Sequence, residues 1–168
     1  MRLLIINSLG LLLFAVLPNI ALALAEDKNQ PIHVQADTVE IDDKKGVSVY
    51  RGNVILTQGS IILHADTLTV EHPKRQLQKA IAQGKPAQFQ QDLDKKGGQV
   101  KAHASTMEYV AGAQVLTLSG KAEVWQDGNE FSGSRIDYDL KTDVVHARSG
   151  ESERVQVTIQ PAKQRPSH

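Results

Sequence analysis

A short pattern of apolar and polar positions recurs four times along the chain. Apolar and polar residues alternate up to a small residue that is followed by Asp or Ser, and apolar alternation then resumes. The copies begin at Ile32, Ile61 and Val100, and a shorter fourth copy begins at Phe131. Strict alternation is typical of a β-strand with one buried face. The pattern therefore predicts four equivalent strands.

The copies are spaced as in a stack of similar units. Their small residues are Ala36, Ala65, Ala104 and Gly133. These positions are 29, 39 and 29 residues apart. Periods of this length indicate supersecondary units that bury an apolar side against their neighbours. The middle interval contains a longer turn at residues 72–75 and a charged loop at residues 92–98, which account for its extra length.

Each copy changes phase at its small residue. From Ala36 to Val39 the apolar positions are three apart instead of two, and the other copies repeat this step. A strand keeps one face inward across such a step only through a bulge or a sharp bend. A glycine follows each of these corners after 16 to 19 residues, which predicts a second corner on each returning strand: Gly52, Gly84, Gly120 and Gly150.

Turn residues separate the copies from returning strands. Four returning strands are expected, over residues 47–57, 77–90, 115–125 and 144–159. No window shows a long apolar stripe of helical period, so helix should be minor. The fold class is therefore all-β. We expect a bent antiparallel sheet of about eight strands, built from repeated hairpins, with an apolar groove between its two layers.

The two ends of the chain differ from this array. Residues 1–25 have the layout of a secretory signal peptide, with a charge at Arg2, an apolar stretch and the sequence Ala23-Leu24-Ala25 before the cleavage point. The alternative, a membrane anchor, is disfavoured because the apolar stretch is shorter than the roughly 20 residues of a spanning helix. Residues 26–160 are expected to form one domain, and residues 161–168 a disordered tail.

Composition excludes several functional classes. Without Arg2 the chain has 18 basic and 19 acidic residues, which argues against non-specific nucleic-acid binding. It has no cysteine, so no disulfide stabilises it and no lipid can be attached through a cysteine after the signal. Stability must come from strand pairing and from the core.

Candidate catalytic and metal-binding groups are weak. His64 and His103 each precede a corner and could lie on neighbouring strands, but alternation places them on the polar face, without metal-ligand spacing. Asp37 and Asp66 share one repeat position, but the other copies carry Ser there, which suits a turn better than acid–base catalysis. We expect no enzymatic activity, no metal and no cofactor.

The first and last strands should be sheet edges. The first spans residues 32–41 and the last residues 155–159. No further strand is predicted before the first or after the last. Open edges recruit further strands, so one copy could pair with the next head-to-tail and form a filament. Terminal segments or loops could equally cover both edges. The residues expected at the partner edges are Ile32, Val34, Val155, Val157 and Ile159.

Four stretches of the chain resemble the OstA family of periplasmic lipopolysaccharide transport proteins. They are Gln30-Pro31-Ile32-His33-Val34, the run from Gly52 to Gly59, Gly84-Lys85-Pro86-Ala87 followed by Phe89, and His103-Ala104-Ser105 followed by Met107 and Tyr109. The resemblance extends from about residue 30 to residue 161, in the family's order. The cleavable signal and the single domain favour a free periplasmic member over the related domains of larger assembly proteins.

The resemblance implies a twisted β-jellyroll that carries lipopolysaccharide from the inner to the outer membrane, with the acyl chains of lipid A in the groove. By matching position, Ile32, Val34 and Phe89 are the expected lipid contacts. Apolar character and repeat position add a further set: Val54, Leu56, Leu63, Met107, Leu116, Leu118 and Phe131. The implied partners are LptC at the amino-terminal edge, the outer-membrane assembly protein LptD at the carboxy-terminal edge, and further copies of the chain. A filament or adhesin that binds no lipid is the alternative.

Overall fold

The computed structural model describes residues 27, 29–92, 98–126, 128–142, 144–150 and 154–160. The predicted signal peptide and the predicted tail lie outside these residues. The described residues form ten strands: β1 (His33–Gln35), β2 (Thr38–Asp42), β3 (Val47–Gln58), β4 (Ile61–Glu71), β5 (Lys79–Asp92), β6 (Gln99–Val110), β7 (Val115–Gln126), β8 (Asn129–Asp139), β9 (Val144–Arg148) and β10 (Gln156–Thr158). A 3₁₀ turn at Pro73–Arg75 precedes β5. The prediction of an all-β fold is confirmed.

All ten strands belong to one open antiparallel sheet. Strands β3 to β8 follow one another as hairpins, which gives the sheet six long central strands. Strands β1 and β2 pair with the two halves of β3, and β10 and β9 pair with the two halves of β8. The sheet is therefore eight positions wide, as predicted. We call the part that runs from β1 to β10 the β1 half and the part that runs from β2 to β9 the β2 half.

Corners separate the two halves at one level of the sheet. The register between neighbours shifts there in every pair of long strands, for example between Arg51 and Val54 of β3. In β3 this step contains Gly52 and Asn53, both with left-handed backbone (φ 79° and 47°). In β7 it contains Gly120 and Lys121, with φ 77° and 51°. Returning strands thus bend opposite the phase changes of the outgoing strands, which confirms the predicted second corners for β3 and β7.

A polar side chain on the outgoing strand covers the corner glycine of its neighbour. The N–H of Asp37 donates to the carbonyl of Gly52 at 2.9 Å, and its carboxylate accepts from Nδ2 of Asn53 at 3.0 Å. A Cβ built on Gly52 would collide with that carboxylate, and one on Gly120 would lie 2.8 Å from Oγ of Ser105. Asp37 and Ser105 are therefore corner-packing residues.

The bend buries one face of the sheet. At the corner lies a row of small or β-branched residues, all less than 9% exposed: Val54, Ala65, Ala87, Ala104, Ala122 and Gly133. The next row, in the β2 half, is also buried and consists of Leu68, Ala82, Met107, Leu118 and Ile136. A single sheet buries its own face only when its halves fold toward each other, and the narrow corner accommodates only short side chains.

Two predicted strands are interrupted. Residues 32–41 were expected to form one strand, but the corner at Ala36 and Asp37 divides them into β1 and β2. Residues 144–159 likewise divide into β9 and β10, and Gly150 lies between the two, next to Ser134 of β8. Central strands stay continuous because neighbours on both sides hold their bulges, whereas an edge strand has one neighbour.

Replacing Gly52 with alanine should destabilise the fold by about 2 kcal/mol, because alanine tolerates left-handed backbone poorly and its Cβ would displace Asp37. Urea unfolding followed by the fluorescence of Trp125 measures this cost. Gly112→Ala is the control, since no atom lies within 4 Å of its added Cβ. Equal midpoints for the two variants would contradict this account of the corner.

Candidate functional site

A continuous apolar row crosses the β1 half from one edge of the sheet to the other. Strand register places eight side chains side by side: Val34, Leu56, Leu63, Phe89, Ala102, Val124, Phe131 and Val157. Most are only partly buried, although they pack against the core. The row therefore forms the wall of a trough that runs across the strands, with its floor at the corner.

Nine of the ten residues predicted to contact lipid lie on the inner face, at different depths. Five are partly buried members of the apolar row: Val34, Leu56, Leu63, Phe89 and Phe131. Leu116 is partly buried on the opposite wall, between Tyr109 and Tyr138. Ile32 is 57% exposed and precedes β1. Val54, Met107 and Leu118 are at most 4% exposed, so they form the floor of the trough, where a ligand reaches them only if the halves separate.

A buried carboxylate lies at the lip of the β1 half, by which we mean the end of this half that lies away from the corner. The Asp27 carboxylate accepts hydrogen bonds from the N–H of Ser60 (2.8 Å), the hydroxyl of Ser60 (2.7 Å) and Nε2 of Gln91 (2.9 Å). Burial alone would raise the pKa of Asp27, but the bonds from Ser60 and Gln91 outweigh it and the pKa is lowered. The segment that leads into β1 is thereby fastened to the β3–β4 turn and to β5.

The lip of the β2 half ends in a different polar group. Oγ of Ser48 lies 2.7 Å from Nε2 of His72, and both residues continue inward-facing rows of their strands. The adjoining turn carries Lys74 and Arg75. The apolar trough is thus bordered by an acidic side chain on one lip and by imidazole and cationic side chains on the other.

Both edges of the sheet expose apolar side chains. On one side these are Ile32, Val39 and Ile41, and on the other Val144, Val145, Val155, Val157 and Ile159. Among the described residues, no strand lies outside β1 and β2 or outside β9 and β10. Of the predicted edge residues, Val34 and Val157 lie within β1 and β10, whereas Ile32, Val155 and Ile159 flank these strands.

The outer face of the sheet is polar. Arg135 and Arg148 reach Asp137 at 2.7 and 3.8 Å, and the bond from Arg135 is the main cause of the lowered pKa of Asp137. His64 and His103 lie on this face but not on adjacent strands, because Gln88 of β5 separates them. His103 instead packs edge-on against Trp125, at 4.9 Å between ring centres. No cluster of potential metal ligands occurs in the part of the chain that the structure describes.

Sequence reasoning missed the groups on the two lips. Gln91 follows Ala87 and Phe89 at every second position of β5, and His72 follows Leu68 and Val70 beyond β4 in the same way. Extending the alternation to the strand ends would have placed both side chains inward. Asp27 carried no such signal, because its polar segment has no periodicity.

Across the described residues, no helix is long and apolar enough to cross a membrane.

Known proteins are similar to this chain in sequence. Residues 33–144 match the family described as LptA/(LptD N-terminal domain) LPS transport protein. The chain is 39% identical to the lipopolysaccharide export system protein LptH of Pseudomonas aeruginosa, over 86% of this chain and 87% of that protein. It is 35% identical to LptA of Escherichia coli K12, over 90% and 82%.

A solved structure resembles the fold as well. It is the crystal structure of Pseudomonas aeruginosa LptH, described as the LptA-homologous periplasmic component of the conserved lipopolysaccharide transport device. The TM-score is 0.73 at 37% sequence identity, and the match covers 81% of this chain and 99% of that one. The expected OstA-like jellyroll is confirmed by this similarity.

Proposed function

Because the chain belongs to the family of LptA and LptD amino-terminal-domain lipopolysaccharide transport proteins, we propose that it is a periplasmic bridge that carries lipopolysaccharide toward the outer membrane. The observation that carries this proposal is the apolar row that crosses the whole width of the sheet. Burial of acyl chains is favourable by about 0.8 kcal/mol per methylene group. A continuous apolar path therefore lowers the barrier to crossing an aqueous compartment.

The acyl chains of lipid A lie along the trough. Its partly exposed wall supplies the first contacts. Ile32 and Val34 lie near the amino-terminal edge, Phe89 lies near the centre, and Phe131 lies near the other edge. Leu56, Leu63 and Leu116 complete these walls. Val54, Met107 and Leu118 join the contacts only when the two halves move apart. The protein catalyses no reaction in this role and needs no cofactor.

Assembly occurs through the two open edges. Val34 of β1 and Val157 of β10 are the two ends of one row, so strand pairing between β10 of one copy and β1 of the next would extend the trough without a break. Such a contact is heterologous and does not close, so it builds a chain of copies. As the family resemblance implies, the amino-terminal edge would pair with LptC and the carboxy-terminal edge with LptD; among the described residues, no strand covers either edge.

Site-specific photo-crosslinking in cells tests lipid contact. A crosslinking amino acid at Phe89, or at Ile32, is expected to capture lipopolysaccharide, because Phe89 lies in the wall of the trough and Ile32 is an exposed apolar side chain two residues before Val34 of the same row. The matched control is Gln88, the exposed neighbour of Phe89 on the opposite face of β5. If a folded protein gives no lipid adduct at either inner position, or an equal yield at Gln88, the proposed path is wrong, and a filament that binds no lipid becomes the better description.

Proline in β10 is expected to weaken end-to-end association. Successive N–H groups of an antiparallel strand point to opposite sides, so Gln156→Pro and Val157→Pro remove one N–H that faces β8 and one that faces outward. The variant that loses the outward-facing N–H should form fewer oligomers and more monomer, and its melting temperature should not fall. Light scattering over a range of concentrations measures this, and two unchanged oligomer distributions would refute assembly through β10.

A further inference from the structure

The apolar face of the β2 half ends at two hydrogen-bonded polar side chains, those of Ser48 and His72. Leu68 and Val70 face inward on β4, and His72 takes the next inward position, about 7 Å further along the chain. Its imidazole is held by the hydrogen bond to the hydroxyl of Ser48, a residue that is only 4% exposed. Ser48 itself stands in a row between the apolar residues Ile41 and Val70. A polar pair at this place departs from the pattern that the rest of the face follows, as functional sites often do.

Two turns pack against each other beside His72 and leave a cavity between them. The N–H of His72 donates to the carbonyl of Gly46 at 2.7 Å, and a Cβ on Gly46 would lie 2.7 Å from Cα of Pro73. The cavity has a volume of about 330 Å³ and is lined by Asp43, His72, Lys74 and Arg75. Because the backbones are in close contact, these side chains extend from a fixed base.

The cavity carries excess positive charge. Lys74 and Arg75 form no ion pair with any residue that the structure describes, whereas the nearby Lys45 is paired with Asp42 at 2.8 Å. Both cationic residues have left-handed backbone, with φ of 56° and 61°, a conformation that is uncommon for residues with side chains. Such conformations cluster at ligand-binding sites. Asp43 contributes the one carboxylate of the lining, so the cations are in excess.

The described part of the opposite lip holds a carboxylate instead. There the ionised Asp27 carboxylate is held by Ser60 and Gln91, and no lysine or arginine side chain is hydrogen-bonded to it among the described residues. An amphiphile with an anionic head and apolar chains would therefore lie across the trough in one orientation. Its chains would rest on the apolar rows and its head on the lip that carries His72.

We propose that the cavity formed by His72, Lys74 and Arg75 binds a phosphate group of the lipid headgroup, an assignment that rests on the function proposed above. Arginine and lysine both bind phosphate, the former through its planar fork of donors and the latter as a point charge. The boundary between the apolar rows and the cationic lip coincides with the boundary between acyl chains and phosphate in such a lipid. Inorganic phosphate shares this chemistry and is the second source to be distinguished.

Binding of three probes to the mature protein tests the site. The probes are lipid A with its phosphates, the same lipid A after removal of the phosphates, and inorganic phosphate. Wild type should prefer the phosphorylated lipid by about tenfold or more, because charge-assisted hydrogen bonds are lost with the phosphate. The K74Q/R75Q variant should lose this preference and keep its affinity for the dephosphorylated lipid. Asp43→Asn should strengthen the preference, since it removes the opposing charge.

The matched control is K44Q/K45Q, which removes the same charge from the adjacent turn and should keep the preference. Persistence of the preference in K74Q/R75Q, or an equal loss in K44Q/K45Q, would overturn the assignment. If inorganic phosphate binds in dependence on Lys74 and Arg75 while the two lipids bind equally, the cavity is a free-phosphate site and the headgroup assignment is wrong. Failure of wild type to bind either lipid would instead contradict the proposed function, which keeps the two failures distinct.

Discussion

Phe89→Asp is expected to abolish lipopolysaccharide binding and to leave the fold intact. Phe89 lies in the middle of the apolar row, between Leu63 and Ala102, and is only partly buried in the free protein. A carboxylate there can remain hydrated until a ligand arrives. Acyl chains would then have to desolvate a charge as well as lose an aromatic contact.

The expected loss of affinity is large. Removal of a phenylalanine contact costs about 1.5–3 kcal/mol, and burial of an unpaired charge adds several more. Since 1.4 kcal/mol is a factor of ten in affinity, binding should fall by at least about 100-fold. Equilibrium binding of purified protein to lipopolysaccharide measures this, and complementation of a depleted strain measures the consequence in cells.

Two matched variants separate the charge from other effects. Gln88→Asp places the same charge on the exposed outer face of the same strand and should bind as wild type. Phe89→Leu keeps an apolar side chain in the row and should lose little affinity. If all three variants, Phe89→Asp, Phe89→Leu and Gln88→Asp, bind lipopolysaccharide with wild-type affinity, acyl chains do not lie along this row.

The corners could be predicted from sequence because two independent signals coincide there. The phase of the outgoing strands changes at Ala36, and a glycine returns at a nearly fixed distance, so each corner is encoded twice. The structure shows why the distance is kept: the residue after the small one, such as Asp37, needs a neighbour without Cβ. Gly84 is the exception, since its nearest contacts are Pro86 and Ala87 of its own longer step.

The depth of the trough could not be predicted. Alternation assigns a side chain to a face, but exposure on that face depends on how closely the two halves approach. Met107 and Phe89 have the same pattern, yet Met107 is 4% exposed and lies in the floor while Phe89 lies in the wall. The polar lips were missed for a related reason, because a single Gln or His at a strand end resembles the start of a turn.

Ala104→Leu is expected to be strongly destabilising, although it keeps an apolar side chain. Ala104 is 0% exposed, faces Ala87 across the β5–β6 pair, and lies in the row where the sheet bends. Three extra carbon atoms have no space in that row, so either the side chain is strained or the two halves separate. Overpacking of a core costs about 1–3 kcal/mol, and occasionally more.

The two outcomes of this overpacking differ in what they do to the trough. If the corner is rigid, Ala104→Leu lowers the urea midpoint and lipopolysaccharide affinity falls only with the fraction unfolded. If the halves separate, the floor residues Met107 and Leu118 become accessible, and a solvent-sensitive probe in the trough should report it below the unfolding transition. Ala113→Leu, on an exposed turn, controls for the added volume and should change the free energy of unfolding by less than about 0.5 kcal/mol. A midpoint equal to that of Ala113→Leu would show that side-chain size at Ala104 does not constrain the bend.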